Sequence, residues 1–304
     1  MFSPVSLLSL TTIWVLVSNF LLLGTFFTVS QAEINNPIRI NNDIFVPVLL
    51  KGFDIFNSKV HFFMLSKNQI KLITALQQKK YRQSHRLFLA EGMKVISELL
   101  QSAFELDQLF ETEPIFDNVP AHKKVSVSAS ELKKISALST PNNCLAVFKM
   151  PLESPLLQSG LIVALDDIRD PGNLGTILRL CDWFGVEQIV CSSETADVFN
   201  PKVIQATMGS LARVGVHYVD LEQFLSQTKL VVFGTFMDGK NIYKEVLPSE
   251  GIIVLGNEAN GISPAVEKMV SHKIAIPRFG KLQQTESLNV ATAAAIVLSE
   301  FRRS

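Results

Sequence analysis

Residues 161–179 read Leu161-Ile162-Val163-Ala164-Leu165-Asp166-Asp167-Ile168-Arg169-Asp170-Pro171-Gly172-Asn173-Leu174-Gly175-Thr176-Ile177-Leu178-Arg179. Five apolar residues in a row predict a strand buried on both faces, as in a parallel sheet. Pro171-Gly172 then turns the chain, and a helical pattern follows over residues 173–184. The polar loop between them lies at the carboxyl end of the strand, where open α/β sheets bind their ligands.

Outward from this unit, further strands are expected at residues 188–191, 230–236, 251–255 and 273–276, with helices at 200–211 and 288–301 between and after them. This alternation predicts an α/β fold, a mainly parallel sheet with helices on both faces, spanning residues 161–304. Two more unusual loops fall at strand ends. Leu255-Gly256-Asn257-Glu258-Ala259-Asn260-Gly261-Ile262-Ser263 has two glycines that let a backbone approach a ligand, and Glu258 is its one charged group. Ile276-Pro277-Arg278-Phe279-Gly280 leads through a polar stretch to Ser287-Leu288-Asn289-Val290-Ala291, where Ser287 is a reasonable N-cap for an alanine-rich helix. That helix is apolar on nearly every side, and packing against a partner subunit is one way to bury it. Taken singly, Asn173, Arg179, Glu258, Ser287 and Asn289 are all explained by capping, turns or surface charge. No G-x-G-x-x-G and no Walker lysine occur, so a dinucleotide or nucleotide-phosphate site lacks its usual sequence support.

Upstream, residues 64–150 predict a small α/β domain, with strands at 87–90, 106–110, 125–127 and 144–148 and helices at 67–76 and 92–100. The proline- and serine-containing stretch 151–160 reads as a linker. Between residues 64 and 90 the charges are Lys67, Lys71, Lys79, Lys80, Arg82 and Arg86, with no acid among them and Tyr81 inside the cluster. Such a run can meet phosphate and stack on a base, or can be a solvated helix face. Residues 1–63 form an apolar extension. No charge occurs before residue 33, and the run is long enough to span a bilayer. A secretory signal would carry a basic start, which is missing; a membrane anchor with a cytoplasmic body fits Arg39 and Lys51; a start at Met64 fits the well-patterned domain that opens there. The third is the reading adopted.

The chain of 304 residues holds 28 basic and 28 acidic residues, so its net charge names no partner. Its three cysteines form no C-x-x-C pair and no cluster with histidine, which points to a reduced, cytoplasmic protein with no metal.

Together the three loops, in this order and each at a strand end, resemble the motifs of the SpoU/TrmH family of RNA ribose 2′-O-methyltransferases. The match lies in D-P-G-N-x-G-x-x-x-R (residues 170–179), G-x-E-x-x-G-I-S (256–263) and I-P followed by S-L-N-V-A (276–291). Residues 86–92 and 145–148 are similar, more loosely, to the ribosomal-protein-like substrate-binding domain of many members. The resemblance implies a carboxyl-terminal trefoil knot, which periodicity could not have shown. It implies S-adenosylmethionine as methyl donor, held by backbone at Gly256, Ile276 and Leu288. It also implies a catalytic set of Asn173, Arg179, Glu258, Ser287 and Asn289, a homodimer, and an RNA contact at Lys79, Lys80, Arg82 and Arg86, with ribosomal RNA favoured over transfer RNA. Arg179 then either activates the 2′-hydroxyl as a base or, protonated, binds phosphate and stabilises the developing alkoxide while Glu258 orients it. Guanidinium pKa values above about 12 favour the second role. The chain departs from the family in Arg278, where an apolar residue often stands, and in a loop about three residues longer between Gly280 and Ser287. A non-catalytic RNA-binding protein on the same fold is the alternative.

Overall fold

The computed structural model describes residues 65–152, 154–282 and 287–303. The apolar extension, the candidate start at Met64 and the polar residues 283–286 lie outside them. Among the described residues no helix is long and apolar enough to cross a membrane.

In chain order the elements are α1 (Lys67–Ala75), α2 (Lys79–His85), β1 (Leu87–Glu91), α3 (Met93–Leu100), β2 (Leu106–Glu111), β3 (Lys124–Ser126), α4 (Ala129–Ile135) and β4 (Cys144–Lys149). After them come β5 (Leu161–Asp166), α5 (Pro171–Trp183), β6 (Gln188–Cys191), α6 (Pro201–Thr207), β7 (Gly215–Tyr218), α7 (Leu221–Gln227), β8 (Val232–Asn241), β9 (Gly251–Gly256), α8 (Pro264–Glu267), β10 (His272–Ala275) and α9 (Val290–Phe301). The first group builds a four-stranded sheet of order β1-β4-β2-β3, and the second a six-stranded sheet of order β10-β8-β9-β5-β6-β7. Every neighbouring pair in the larger sheet is parallel.

Strand β5 sits in the middle and is buried at every residue, as its unbroken apolar run requires. Leu161, Val163 and Leu165 join a core with α5, α6 and α9, while Ile162 and Ala164 face α7 and α8. This is the two-residue alternation of a strand with helices on both faces. The smaller sheet adds Phe88, Ala90 and Phe148 to the first of these cores, and Phe88 meets Phe199 with ring centroids 4.9 Å apart.

Helix boundaries differ from the sequence expectation in ways that matter for the site. Helix α5 starts at Pro171 and is capped by Asp170, whose Oδ1 accepts from the Asn173 amide at 2.8 Å. Proline at the first position needs no donor, and the aspartate satisfies a free N–H. Asn173 is thereby released from capping. In α9 the cap is Asn289, not Ser287: its Oδ1 accepts from Ala291 N at 3.0 Å and Thr292 N at 3.2 Å. Helix α6 stops at Thr207 because Met208 and Gly209 turn left-handed, and a Cβ on Gly209 would strike the Glu98 side chain.

Gly175 explains one glycine of the first motif without any ligand. A Cβ there would collide with the Ala206 side chain and approach Val203 O to 2.9 Å, so the glycine lets α5 and α6 pack closely. Gly175→Ala is expected to destabilise the fold by about 1–3 kcal/mol, the usual cost of overpacking a tight contact. Chemical denaturation checks this, and an unchanged midpoint would remove the packing explanation.

Candidate active site

The loops after β5 and β9 and the start of α9 meet through side-chain hydrogen bonds. Asn289 Nδ2 donates to Asn173 Oδ1 at 2.9 Å, and Asn173 Nδ2 donates to Glu258 Oε1 at 2.7 Å. Each amide therefore has a defined orientation: Asn289 gives its oxygen to the helix start and its nitrogen to Asn173. Residues 116 and 85 positions apart become neighbours in this way. A ligand is not needed to unite them.

The β9 loop is preorganised by a residue that the sequence reading passed over. Asn257 Oδ1 accepts from Ala259 N and Asn260 N at 2.9 and 3.1 Å, and its Nδ2 donates to Asp167 O at 2.7 Å. Its backbone pairs with Gly261 in both directions, at 3.0 and 2.8 Å. Asp167 is left-handed at φ 61°, a conformation that aspartate tolerates better than most residues, and its amide donates to Ser192 Oγ at 2.9 Å. The buried Asp166 takes the Ser263 amide at 2.7 Å. The signal available in the sequence was the Asp166-Asp167 and Asn257 polar residues at strand ends, where local side-chain bonds replace the ladder.

Beside this network lies a cavity of about 1430 Å³ whose walls include Gly256, Ile276 and Leu288, together with Glu258 and Ser287. Leu255, Ile274, Val290 and Val297 supply apolar wall, and Phe279 and Leu282 stand exposed at its rim. The space exceeds the ~300–1,000 Å³ usual for a small-molecule site, leaving room for a nucleoside donor and part of a second substrate. Among the described residues no group of acids, histidines and cysteines could hold a metal. All three thiols are buried, and burial pushes that of Cys144 up to about 11.

Arg179 stands apart. It is exposed on α5, and among the described residues it makes no hydrogen bond or ion pair, so Glu258 orients Asn173 rather than the arginine. The basic run divides in a similar manner. Lys79 and Lys80 are exposed, and so is Arg86, which caps α2 in a left-handed conformation and donates to Pro151 O at 2.6 Å. Arg82 corrects the expectation. It is 1% exposed and donates four hydrogen bonds, to Asp197 and to two backbone carbonyls, so it is buried where an RNA phosphate does not reach.

Known proteins resemble this chain in sequence and fold. Residues 160–299 match the model of the SpoU rRNA Methylase family, and residues 67–146 match the MRM3-like substrate binding domain. The 23S rRNA (guanosine(2553)-2'-O)-methyltransferase RlmP of Bacillus subtilis is 31% identical over 245 residues, covering 78% of this chain and 97% of that protein. Among solved structures, a TrmH-family protein from Porphyromonas gingivalis superposes with a TM-score of 0.73 at 39% identity, covering 79% of this chain and 99% of its own. The AdoMet-bound rRNA methyltransferase from Sinorhizobium meliloti gives 0.71 at 29% identity, covering 79% and 96%. A parallel α/β sheet with these three loops, matched by that family model and those relatives, defines an S-adenosylmethionine-dependent RNA 2′-O-methyltransferase. The chain belongs to the SpoU rRNA methylase family.

Proposed function

We propose that the protein transfers a methyl group from S-adenosylmethionine to a ribose 2′-hydroxyl of ribosomal RNA. The observation that carries this reading is the bonded series Glu258, Asn173, Asn289 at the edge of a cavity walled by Gly256, Ile276 and Leu288. Family membership supplies the chemistry: when bound, the donor presents an electrophilic methyl on a sulfonium. The chain's own residues must then hold the sugar oxygen in line with it and stabilise the charge that develops there.

In this reading Asn173 and Asn289 are fixed amides that orient the ribose, Glu258 keeps Asn173 in place, and Ser287 meets the substrates from the cavity wall. Arg179 donates to an RNA phosphate and to the sugar oxygen; as the O–CH3 bond forms, the S–CH3 bond breaks to leave a neutral thioether and the hydroxyl proton passes to that phosphate or to water. Lys79, Lys80 and Arg86 hold RNA phosphate at a distance from the chemistry and carry no sequence information themselves. The exposed Trp183 of α5 and the alanine-rich α9 mark the surface we assign to a second copy of the chain. The work is done in the cytoplasm, where donor and RNA coexist.

Donor titration by calorimetry and methyl transfer to total ribosomal RNA, followed by ribose-methylation mapping in a deletion strain, test the reading. One ribose methyl is expected to disappear from ribosomal RNA and to return with the purified enzyme. A protein that binds the donor but restores no methyl would instead be an RNA-binding relative without turnover.

A further inference from the structure

The hairpin α1–α2 exposes Lys67, Lys71, Lys79 and Lys80, yet the cation in the middle of the run turns inward. Arg82 Nε and Nη2 donate to Asp197 Oδ2 at 3.0 and 2.5 Å, and Nη1 donates to Leu76 O at 3.0 Å and Gln77 O at 2.8 Å. Leu76 and Gln77 close α1, whereas Asp197 lies 115 residues away in the loop at the carboxyl end of β6. One guanidinium thus ties the turn of the cationic hairpin to the catalytic sheet.

The far end of the tie is itself anchored. Asp197 Oδ1 accepts from Phe199 N at 3.1 Å, and Tyr218 Oη accepts from Val198 N at 2.8 Å and donates to Ala196 O. The same loop reaches the first motif: Ala196 N donates to Ile168 O at 2.8 Å, and Ser192 Oγ accepts from Asp167 N at 2.9 Å. Hydrogen bonds made by residues 192–199 therefore link the lysine-bearing hairpin to the loop that leads into α5, whose first turn carries Asn173.

We infer that Arg82 and Asp197 are positioning residues that hold the RNA-binding hairpin at a fixed place relative to the active site, so that RNA gripped by the lysines delivers one particular ribose to Arg179. This rests on the reading of Lys79 and Lys80 as phosphate contacts. The geometry needs arginine: a planar fork with five donors spans an aspartate and two carbonyls, which a lysine ammonium on one flexible stem does not. Displacement of a substrate by about 1 Å can cost up to about 100-fold in rate even when its binding is intact.

Arg82→Lys, Asp197→Asn and the double variant Lys79→Ala/Lys80→Ala are purified as full chains and assayed well below each melting temperature on a ribosomal RNA fragment. The two tie variants are expected to bind donor and RNA like wild type, to lose about 10- to 100-fold in kcat at saturating RNA, and to spread methylation onto neighbouring riboses. The lysine variant is expected to differ in kind: weaker RNA binding and a salt dependence shallower by about 2 in log–log slope. If the lysine variant binds RNA normally, the hairpin is not the RNA contact and the inference falls with that reading. If the lysine variant behaves as expected while both tie variants keep wild-type kcat and a single methylated ribose, the tie is structural only and the inference alone is overturned, whatever their melting temperatures.

Discussion

Arg179→Ala is expected to lower methyl transfer about 10²- to 10³-fold, the usual effect of removing one group that stabilises developing charge, while donor affinity stays within about twofold. The asymmetry follows from where the residue sits. Arg179 is absent from the walls of the cavity, whose lining comes from the β8, β9 and β10 ends and from residues 276–297. Its neighbours on α5 bury the opposite stripe, Leu174, Ile177, Leu178 and Cys181, so truncating an exposed side chain leaves the helix and its packing intact. No carboxylate among the described residues pairs with it, and its charge is available to an incoming phosphate or alkoxide. Single-turnover methyl transfer with a saturating RNA fragment, set beside donor calorimetry, separates the two quantities. Near-normal turnover in the alanine variant would remove Arg179 from the chemistry, and a large loss of donor affinity would move it into the donor site. Arg179→Lys keeps the charge but loses the fork, so an intermediate rate is expected there.

The larger sheet was legible where its strands are buried on both faces. Residues 161–165 and 252–255 are continuous apolar runs bounded by turn residues, the pattern of strands at the centre of a parallel sheet. Strand β7 escaped notice for the opposite reason: Gly215-Val216-His217-Tyr218 is an edge strand, only partly buried, with too few residues for a period to declare itself. Helix α2 also carries no apolar stripe, since its buried residue is Arg82; a basic run shows that cations are present but not which one turns inward. Helix α4 was readable and was missed, for Ser128 and Glu131 form a capping box in which each closes the other's free amide. Strand β8 runs on to Asn241 because a register shift beside Ile274 lets β10 stay paired with it beyond Phe236.

The contacts among the candidate residues were not legible in the sequence. Asn173, Glu258 and Asn289 each had a local explanation, and which explanation held depended on the competition for helix ends. Asp170 and Asn289 won the caps, leaving Asn173 free to bridge. A capping preference of about 1 kcal/mol is too small to settle such a contest from sequence, because serine, aspartate and asparagine are nearly equivalent caps.

Gly256→Ala is expected to weaken donor binding about 100-fold or more and to slow methyl transfer with it, while Gly261→Ala, in the same loop, does far less to binding. At Gly256 an added Cβ would land on the backbone of Gly261 and Ile262, which is polypeptide and cannot swing aside as a flexible side chain does. The loop folds back on the strand end and is locked there by the paired Asn257 and Gly261 backbones and by the Asn257 side chain. A methyl group must prise that closure open, moving a cavity wall and drawing Glu258 away from Asn173 together. A hundredfold loss of affinity corresponds to about 2.7 kcal/mol, within the range of overpacking costs of about 1–3 kcal/mol, so the steric conflict alone is large enough. At Gly261 the backbone is left-handed at φ 68° but the space beyond is open, so alanine meets conformational strain of about 1 kcal/mol and no collision. Donor calorimetry on both variants, with circular dichroism to establish that each is folded, decides between sterics and strain. Equal losses at the two positions would place the requirement in loop flexibility, and donor binding by Gly256→Ala within about threefold of wild type would mean that this loop is not the wall against which the donor rests.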